Sequence, residues 1–146
     1  SHNLYPTMVE DLGLEQSLYI FTDELQKNYP AVNILFHYKF TEGILPKAYA
    51  LAIYRISKEL VTNAAKHSGS MQIDLLLEED VNGYYIQVKD NGAGFRTQGD
   101  DSLLKSPHMG LYTVKRQVAG LSGRMDVQSA PDIGTKFYIY IPKQEE

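Results

Sequence analysis

Residues 71–90 read MQIDLLLEEDVNGYYIQVKD, and this stretch limits the fold more than any other. Two strand-like segments, MQIDLLLEE and YYIQVKD, are joined by DVNG. Asn82-Gly83 is a strong hairpin signal, because both residue types enter tight turns readily. An isolated hairpin is marginal in water, so it needs more strands and a covering layer. The rest of the chain offers both. VNILFHYKF alternates, with Ile34, Phe36, Tyr38 and Phe40 on one face and Asn33, His37 and Lys39 among the others, which predicts a strand. RMDVQS and TKFYIYI read as strands joined by the turn APDIG.

Three segments carry helical spacing. Leu14, Leu18, Phe21 and Leu25 recur between Gly13 and Pro30. After the loop-like TEGILP, with Pro46 tolerated in the first turn, a helix runs to about His67 and stops at SGS. Its stripe includes Ile53, Ile56, Leu60 and Ala64. Leu111, Val114, Val118 and Leu121 mark a third, from Gly110 to near Gly123. Residues 96–107 are polar and turn-rich, which reads as a mobile loop. The order is helix, strand, helix, two strands, loop, helix, two strands. It predicts an α+β fold with helices on one face of a mixed, mainly antiparallel sheet.

The 146 residues suit one domain with a substantial core. At 43% apolar and 22% charged, the composition is that of a globular protein, not a disordered or fibrous one. A net charge of −4 leaves no basic footprint for nucleic acid, and any phosphate ligand must be held by local groups. Without cysteine there is no disulfide framework and no thiolate zinc site. No apolar run approaches the roughly 20 residues needed to span a bilayer, so no membrane contact by this domain is expected. No signal peptide is visible, and the abrupt start in patterned sequence suggests a fragment of a longer protein.

Four short stretches carry chemistry. In LVTNAAKHS an apolar helix ends with an asparagine, a lysine and a histidine. At about 100° per residue, Glu59, Asn63 and Lys66 share an arc of roughly 60°, with His67 beside it. A carboxylate, an amide and an amine on one face suit a hydrated magnesium ion with phosphates. A solvated helix face with an ion pair is the plainer reading. In KDNGAGF an aspartate ends a strand, and Gly92 and Gly94 follow at alternate positions. Glycine lets a ligand approach the backbone, and ionised Asp90, acceptor-only, suits an exocyclic amine. An Asp-Asn-Gly turn would also account for part of it. Gly110 opens a helix whose free N–H groups favour anions, although an ordinary amphipathic helix starts the same way. Lys115 and Arg116 further along read as solvated. Gly134 makes a turn, and Thr135 brings a hydroxyl to the start of a strand. His37, His2 and the tyrosines at 38, 84, 85, 138 and 140 need no functional role.

The combination is more specific than its parts. Glu59-x-x-x-Asn63-x-x-Lys66-His67, Asp90-x-Gly92-x-Gly94, Met109-Gly110-Leu111 and Gly134-Thr135 follow in that order. They resemble the N, G1 and G2 boxes of the ATPase domain shared by gyrase, Hsp90, histidine kinases and MutL. The resemblance is closest to sensor histidine kinases of the nitrate-sensor-like subfamily, and it covers nearly the whole chain. HNLYPTMVEDLGLEQSL resembles that subfamily's exit from the dimerisation domain, and RISKELVTNAAKHS its N box.

The resemblance implies a Bergerat-type two-layer α/β sandwich. Residues 1–12 would be the exit segment and residues 13–146 the ATPase domain, with the ATP lid at about 96–107. Asn63 would coordinate magnesium, and Glu59 would act as catalytic base or water-orienting group. Lys66 and His67 would lie by the phosphates. Asp90 would bind the adenine amine, with Gly92 and Gly94 shaping the pocket. Met109, Gly110 and Leu111 would close the lid end, and Thr135 would reach the adenine side. His108 departs from the family, standing where a glycine is usual. The phospho-accepting histidine of such kinases lies upstream, and nothing here matches it. The implied function is transfer of the ATP γ-phosphate to a histidine on a dimerisation domain, for relay to a response regulator. The parent would be a homodimer, cytoplasmic in this part and an inner-membrane receptor as a whole. The alternatives are a serine or protein kinase of the anti-sigma-factor or dehydrogenase-kinase type, and a non-catalytic nucleotide-binding signalling module.

Overall fold

The computed structural model describes residues 4–41, 45–95 and 110–144. The expected lid at 96–107, with His108 and Met109, lies outside the described residues. Among the described residues, three helices and five strands follow one another: α1 (Leu4–Asn28), β1 (Asn33–Lys39), α2 (Lys47–His67), β2 (Gln72–Glu79), β3 (Gly83–Asp90), α3 (Gly110–Gly120), β4 (Arg124–Ala130) and β5 (Gly134–Pro142). The strands form one sheet in the order β1-β2-β3-β5-β4. Only β1 and β2 run parallel; the other pairs are antiparallel. The parallel pair requires a crossover, and α2 supplies it.

Alternation decides which face the helices cover. Ile73, Leu75 and Leu77 of β2 are buried, as are Ile86 and Val88 of β3 and Phe137, Ile139 and Ile141 of β5. Their intervening neighbours form the other face, where Arg124 lies over the Tyr140 ring and Lys136 over the Tyr138 ring. Helix α2 lies across the covered face. Ile53, Ile56 and Leu60, from the expected stripe, are at most 1% exposed. Helix α1 packs beside α2, with Leu14 and Leu18 buried, and α3 contributes Leu111, Val114 and Val118 to the same core.

Two local expectations are refined. The first helix does not begin at Gly13. Helical residues lie on both sides of it, and Gly13 itself has φ 82° and ψ 170°, a break that glycine tolerates. Ser17 bridges the break by donating to the Gly13 carbonyl at 2.7 Å. The segment before Gly13 joins the core through Val9, which is 5% exposed. The hairpin forms where expected, but Asn82 and Gly83 do not adopt the positive φ of a two-residue Asn-Gly turn. Instead the Asp80 carboxylate accepts from the Asn82 and Gly83 N–H groups at 2.8 and 3.1 Å. Gly83 is required by its neighbour, because a Cβ there would lie 2.5 Å from the Ile141 carbonyl oxygen.

Side chains finish the sheet. The Gln26 amide accepts from the Ile34 N–H at 2.9 Å and donates to the Val32 carbonyl, along the free edge of β1. Asn91 Oδ1 accepts from Met71 and Gln72 N–H groups at 2.9 and 3.0 Å, holding the start of β2. Phe40, Tyr38, Tyr49 and Tyr84 stack into an aromatic cluster at one end of the core. Burial, then the nearby Glu15 and Glu79, push the Tyr38 hydroxyl up to about 12.

Candidate functional site

The C-terminal half of α2, the segment after β3, the start of α3 and the start of β5 converge on one pocket. Leu60, Ala64 and Phe137 give it an apolar floor. Asn63 and His67 enter from α2, Asp90 and Gly94 from the end of β3 and beyond, Leu111 from α3 and Thr135 from β5. Thus Asn63, His67, Asp90 and Thr135, polar residues from three elements and three of the quoted stretches, share one cavity with Leu111 from the fourth. An apolar pocket with a few convergent polar groups is the common form of a small-molecule site.

Asn63 is the most informative of them. Its side-chain nitrogen is buried and has no hydrogen-bond partner among the described residues. Buried polar atoms are almost always paired, so an unpartnered amide nitrogen on a residue that lines the pocket suits a ligand. The two amide atoms exchange by a flip, so either the oxygen or the nitrogen can meet that ligand. An amide oxygen beside phosphates and waters is enough for magnesium. Among the described residues no cluster of three His, Cys, Asp or Glu side chains exists to hold a metal.

Asp90 is 7% exposed, and its carboxylate accepts from the Gly92 N–H at 2.8 Å. Thr135 is equally buried and is the cross-strand partner of Asp90. Facing cross-strand side chains lie close together, so the carboxylate and the hydroxyl form one edge of the pocket.

The glycines act through close approach. A Cβ at Gly92 would come within 2.3 Å of the Ser68 carbonyl oxygen, and one at Gly94 within 2.0 Å of the Ala130 carbonyl oxygen. Gly94 also has φ +66°, and Gly134 has φ +133°. The Ala93 N–H donates to the Ser68 carbonyl at 2.7 Å, and Asp132 N–H donates to the Ala93 carbonyl at 2.6 Å. The segment after β3 is thereby stitched between the end of α2 and the β4–β5 turn.

Glu59 and Lys66 share the α2 face with Asn63, yet neither lines the pocket. Glu59 is half-buried one turn away, and Lys66 and His67 are exposed in the last turn. The dipole at that helix end disfavours anions, so phosphate there depends on those cations. Helix α3 begins with Gly110 and turns its N-terminal end to the pocket, with Leu111 3% exposed in its wall. Lys115 and Arg116 are exposed, away from the pocket lining. Sequence reasoning missed Ser68, Asn91 and Ser129. Ser68 meets Ala93, Asn91 meets Met71 and Ser129 meets Phe95 across 20 or more residues of sequence, for which a local pattern carries no signal.

Comparison with known proteins identifies the family. Residues 48–145 match the family described as histidine kinase-, DNA gyrase B-, and HSP90-like ATPase. The oxygen sensor histidine kinase NreB of Staphylococcus carnosus is 25% identical over 142 residues, covering 97% of this chain and 40% of its own. The signal transduction histidine-protein kinase/phosphatase DegS of Bacillus subtilis is 30% identical over 139 residues, covering 94% of this chain and 36% of its own. The chain thus spans about two-fifths of the length of these curated relatives. Among solved structures, the histidine kinase domain of the Erythrobacter litoralis EL346 blue-light activated histidine kinase aligns with a TM-score of 0.72 at 20% identity, over 88% of this chain and 60% of that one. The ATP binding domain of PrrB from Mycobacterium tuberculosis aligns with a TM-score of 0.69 at 19% identity, over 86% of this chain and 90% of that one. The two-layer α+β architecture is that of these domains. No described helix is long and apolar enough to cross a membrane. With its fold shared and residues 48–145 matched, the chain belongs to the histidine kinase-, DNA gyrase B- and HSP90-like ATPase family, as an ATP-binding domain of the sensor histidine kinase type.

Proposed function

We propose that this domain holds Mg-ATP and presents the γ-phosphate to a histidine on a dimerisation domain of the same protein, for relay to a response-regulator aspartate. Residues 1–12 are the exit segment from that domain, residues 13–146 the ATPase domain and residues 96–107 the ATP lid. The parent is a homodimer with this part in the cytoplasm and a receptor in the inner membrane. The observation that carries the reading is Asn63, which lines the same pocket as Asp90 and Thr135 and whose buried side-chain nitrogen has no partner among the described residues.

Each residue has one task. Asn63 turns its amide oxygen toward magnesium. Bound magnesium neutralises charge on the phosphates, which phosphoryl transfer requires because its transition state is loose. Asp90 accepts a hydrogen from the adenine amine, and Thr135 meets the adjoining edge of the base. Gly92 and Gly94 bring the backbone close to the nucleotide. Lys66 and His67 offer positive charge to the phosphates, and Met109, Gly110 and Leu111 close the pocket at the start of α3. Glu59 orients or deprotonates the attacking group. It reaches the reaction from outside the adenine pocket, in keeping with its position one turn away. The chain contributes positioning and charge, and the relatives' kinase names favour this reading over the serine kinase and non-catalytic alternatives.

Calorimetric titration with a non-hydrolysable ATP analogue tests it, with and without magnesium and with a GTP analogue as control. Magnesium-dependent binding that prefers adenine is expected. A folded chain that binds neither nucleotide overturns the assignment.

A further inference from the structure

Asp90, Thr135 and Ser129 form one row across three strands on the covered face of the sheet. Asp90 is in register with Thr135, and Thr135 with Ser129. The next row is apolar: Val88, Phe137 and Val127. The polar row therefore marks where the core ends and the pocket begins. Asp90 and Thr135 line the pocket, whereas Ser129 stands behind Thr135.

Among the described residues Ser129 Oγ has three hydrogen-bonding neighbours. It accepts from the Phe95 N–H at 2.8 Å. It lies 2.8 Å from Thr135 Oγ1 and 3.1 Å from the Gly134 carbonyl oxygen. A serine hydroxyl has a single hydrogen to give. If that hydrogen goes to Gly134, Thr135 donates to Ser129 and offers the pocket only lone pairs. If it goes to Thr135, the Thr135 hydrogen is left for the pocket. The contact with Thr135 is the shorter of the two.

The geometry points to Ser129 as a specificity-determining positioning residue: its hydroxyl donates to Thr135 and so leaves the Thr135 hydrogen to be donated toward the bound base. This rests on the adenine reading above and deepens it. An acceptor at Asp90 and a donor at Thr135 then stand side by side. Along one edge adenine carries the matching pair, a donor amine beside an acceptor ring nitrogen. Guanine carries the reverse pair, a carbonyl beside an N–H. To accept that N–H, Thr135 would have to turn its own hydrogen away from the base. Without the Ser129 hydroxyl the Thr135 hydroxyl rotates freely and serves either base.

The test measures dissociation constants of non-hydrolysable ATP and GTP analogues, with magnesium, for the wild-type chain, Ser129→Ala, Ser129→Thr and Thr135→Val. Thermal unfolding is followed in parallel. In Ser129→Ala the preference for adenine is expected to narrow on the order of fivefold, the scale of one hydrogen bond. Ser129→Thr, which keeps the hydroxyl, restores it. Thr135→Val narrows it similarly, and adding Ser129→Ala to Thr135→Val narrows it no further. A purely structural role would weaken both nucleotides equally and leave their ratio alone, which overturns the inference. If Ser129→Ala does not fold, Ser129→Thr and Thr135→Val decide: an unchanged ratio in Thr135→Val overturns it. A wild-type chain without adenine preference removes the underlying adenine reading, whereas a wild-type preference unaffected by the variants removes only the role of Ser129.

Discussion

Gly92 lies against the Ser68 carbonyl so closely that a Cβ would stand 2.3 Å from its oxygen. Ser68 is the C-cap of α2, so the end of that helix and the segment after β3 meet backbone to backbone. Gly92→Ala must push the two apart. Overpacking of this kind costs about 1–3 kcal/mol, which for a chain of this size lowers Tm by about 3–10 °C. Circular dichroism melting checks it, and an unchanged Tm would mean that the segments separate freely.

Gly134→Ala meets both strain and collision. Its φ of +133° is a region that side chains rarely enter, and a Cβ would lie 2.1 Å from the Asp90 carbonyl oxygen. The strained backbone costs about 1–3 kcal/mol by itself. Denaturant titration should show a lower midpoint with the slope unchanged. A midpoint equal to the wild type would contradict the close packing of β3 on β5.

Asn63→Ala should separate stability from binding. The side-chain nitrogen has no partner among the described residues, so its removal breaks no described bond to that atom. Tm should stay within about 2 °C of the wild type, as for a change of about 0.5 kcal/mol. Binding of a magnesium–ATP analogue should weaken about tenfold or more, the equivalent of roughly 1.4 kcal/mol. Wild-type affinity in titration calorimetry would remove Asn63 from the ligand's surroundings.

Glu79 predicts a pH dependence. Burial pushes its carboxyl upward, but hydrogen bonds from Lys143 and Thr41 outweigh that, so its pKa lies below the ordinary 4.5. The Lys143 Nζ contact is 2.7 Å, and the Glu79 side chain is only 9% exposed. A lowered carboxylate pKa stabilises the fold fully above the ordinary value, and that stability is lost as pH falls through the folded-state value. Glu79→Gln should therefore be less stable than the wild type near neutral pH. The gap should close as pH drops below 4.5. Unfolding curves from pH 7 to pH 3 test the sign, and a gap that widens in acid would refute it.

Much of this fold is readable because burial imposes period. The α2 stripe of Ile53, Ile56, Leu60 and Ala64 and the alternation along β3 and β5 are direct records of which face meets the core. The site was legible to the extent that its residues sit at element ends, as Asn63, Asp90 and Thr135 do. What stayed hidden depends on register. Ser129 meets Phe95 across 34 residues, and Asn91 meets Met71 across 20. Neither contact exists until the strands have aligned, so no local spacing encodes it. Gly13 misled for a different reason: a glycine that ends a helix and one that breaks a longer helical run look alike in sequence.

The Gln26 amide gives to β1 what one residue of a sixth strand would give, a carbonyl and an N–H at the right places. At the start of that edge, a newcomer chain would have to evict a side chain tethered to α1 before it could extend the sheet. The opposite margin, β4, is described without such a guard. If this domain ever stacks with another by strand addition, the sheet has a direction in which to grow, outward past Arg124 to Ala130.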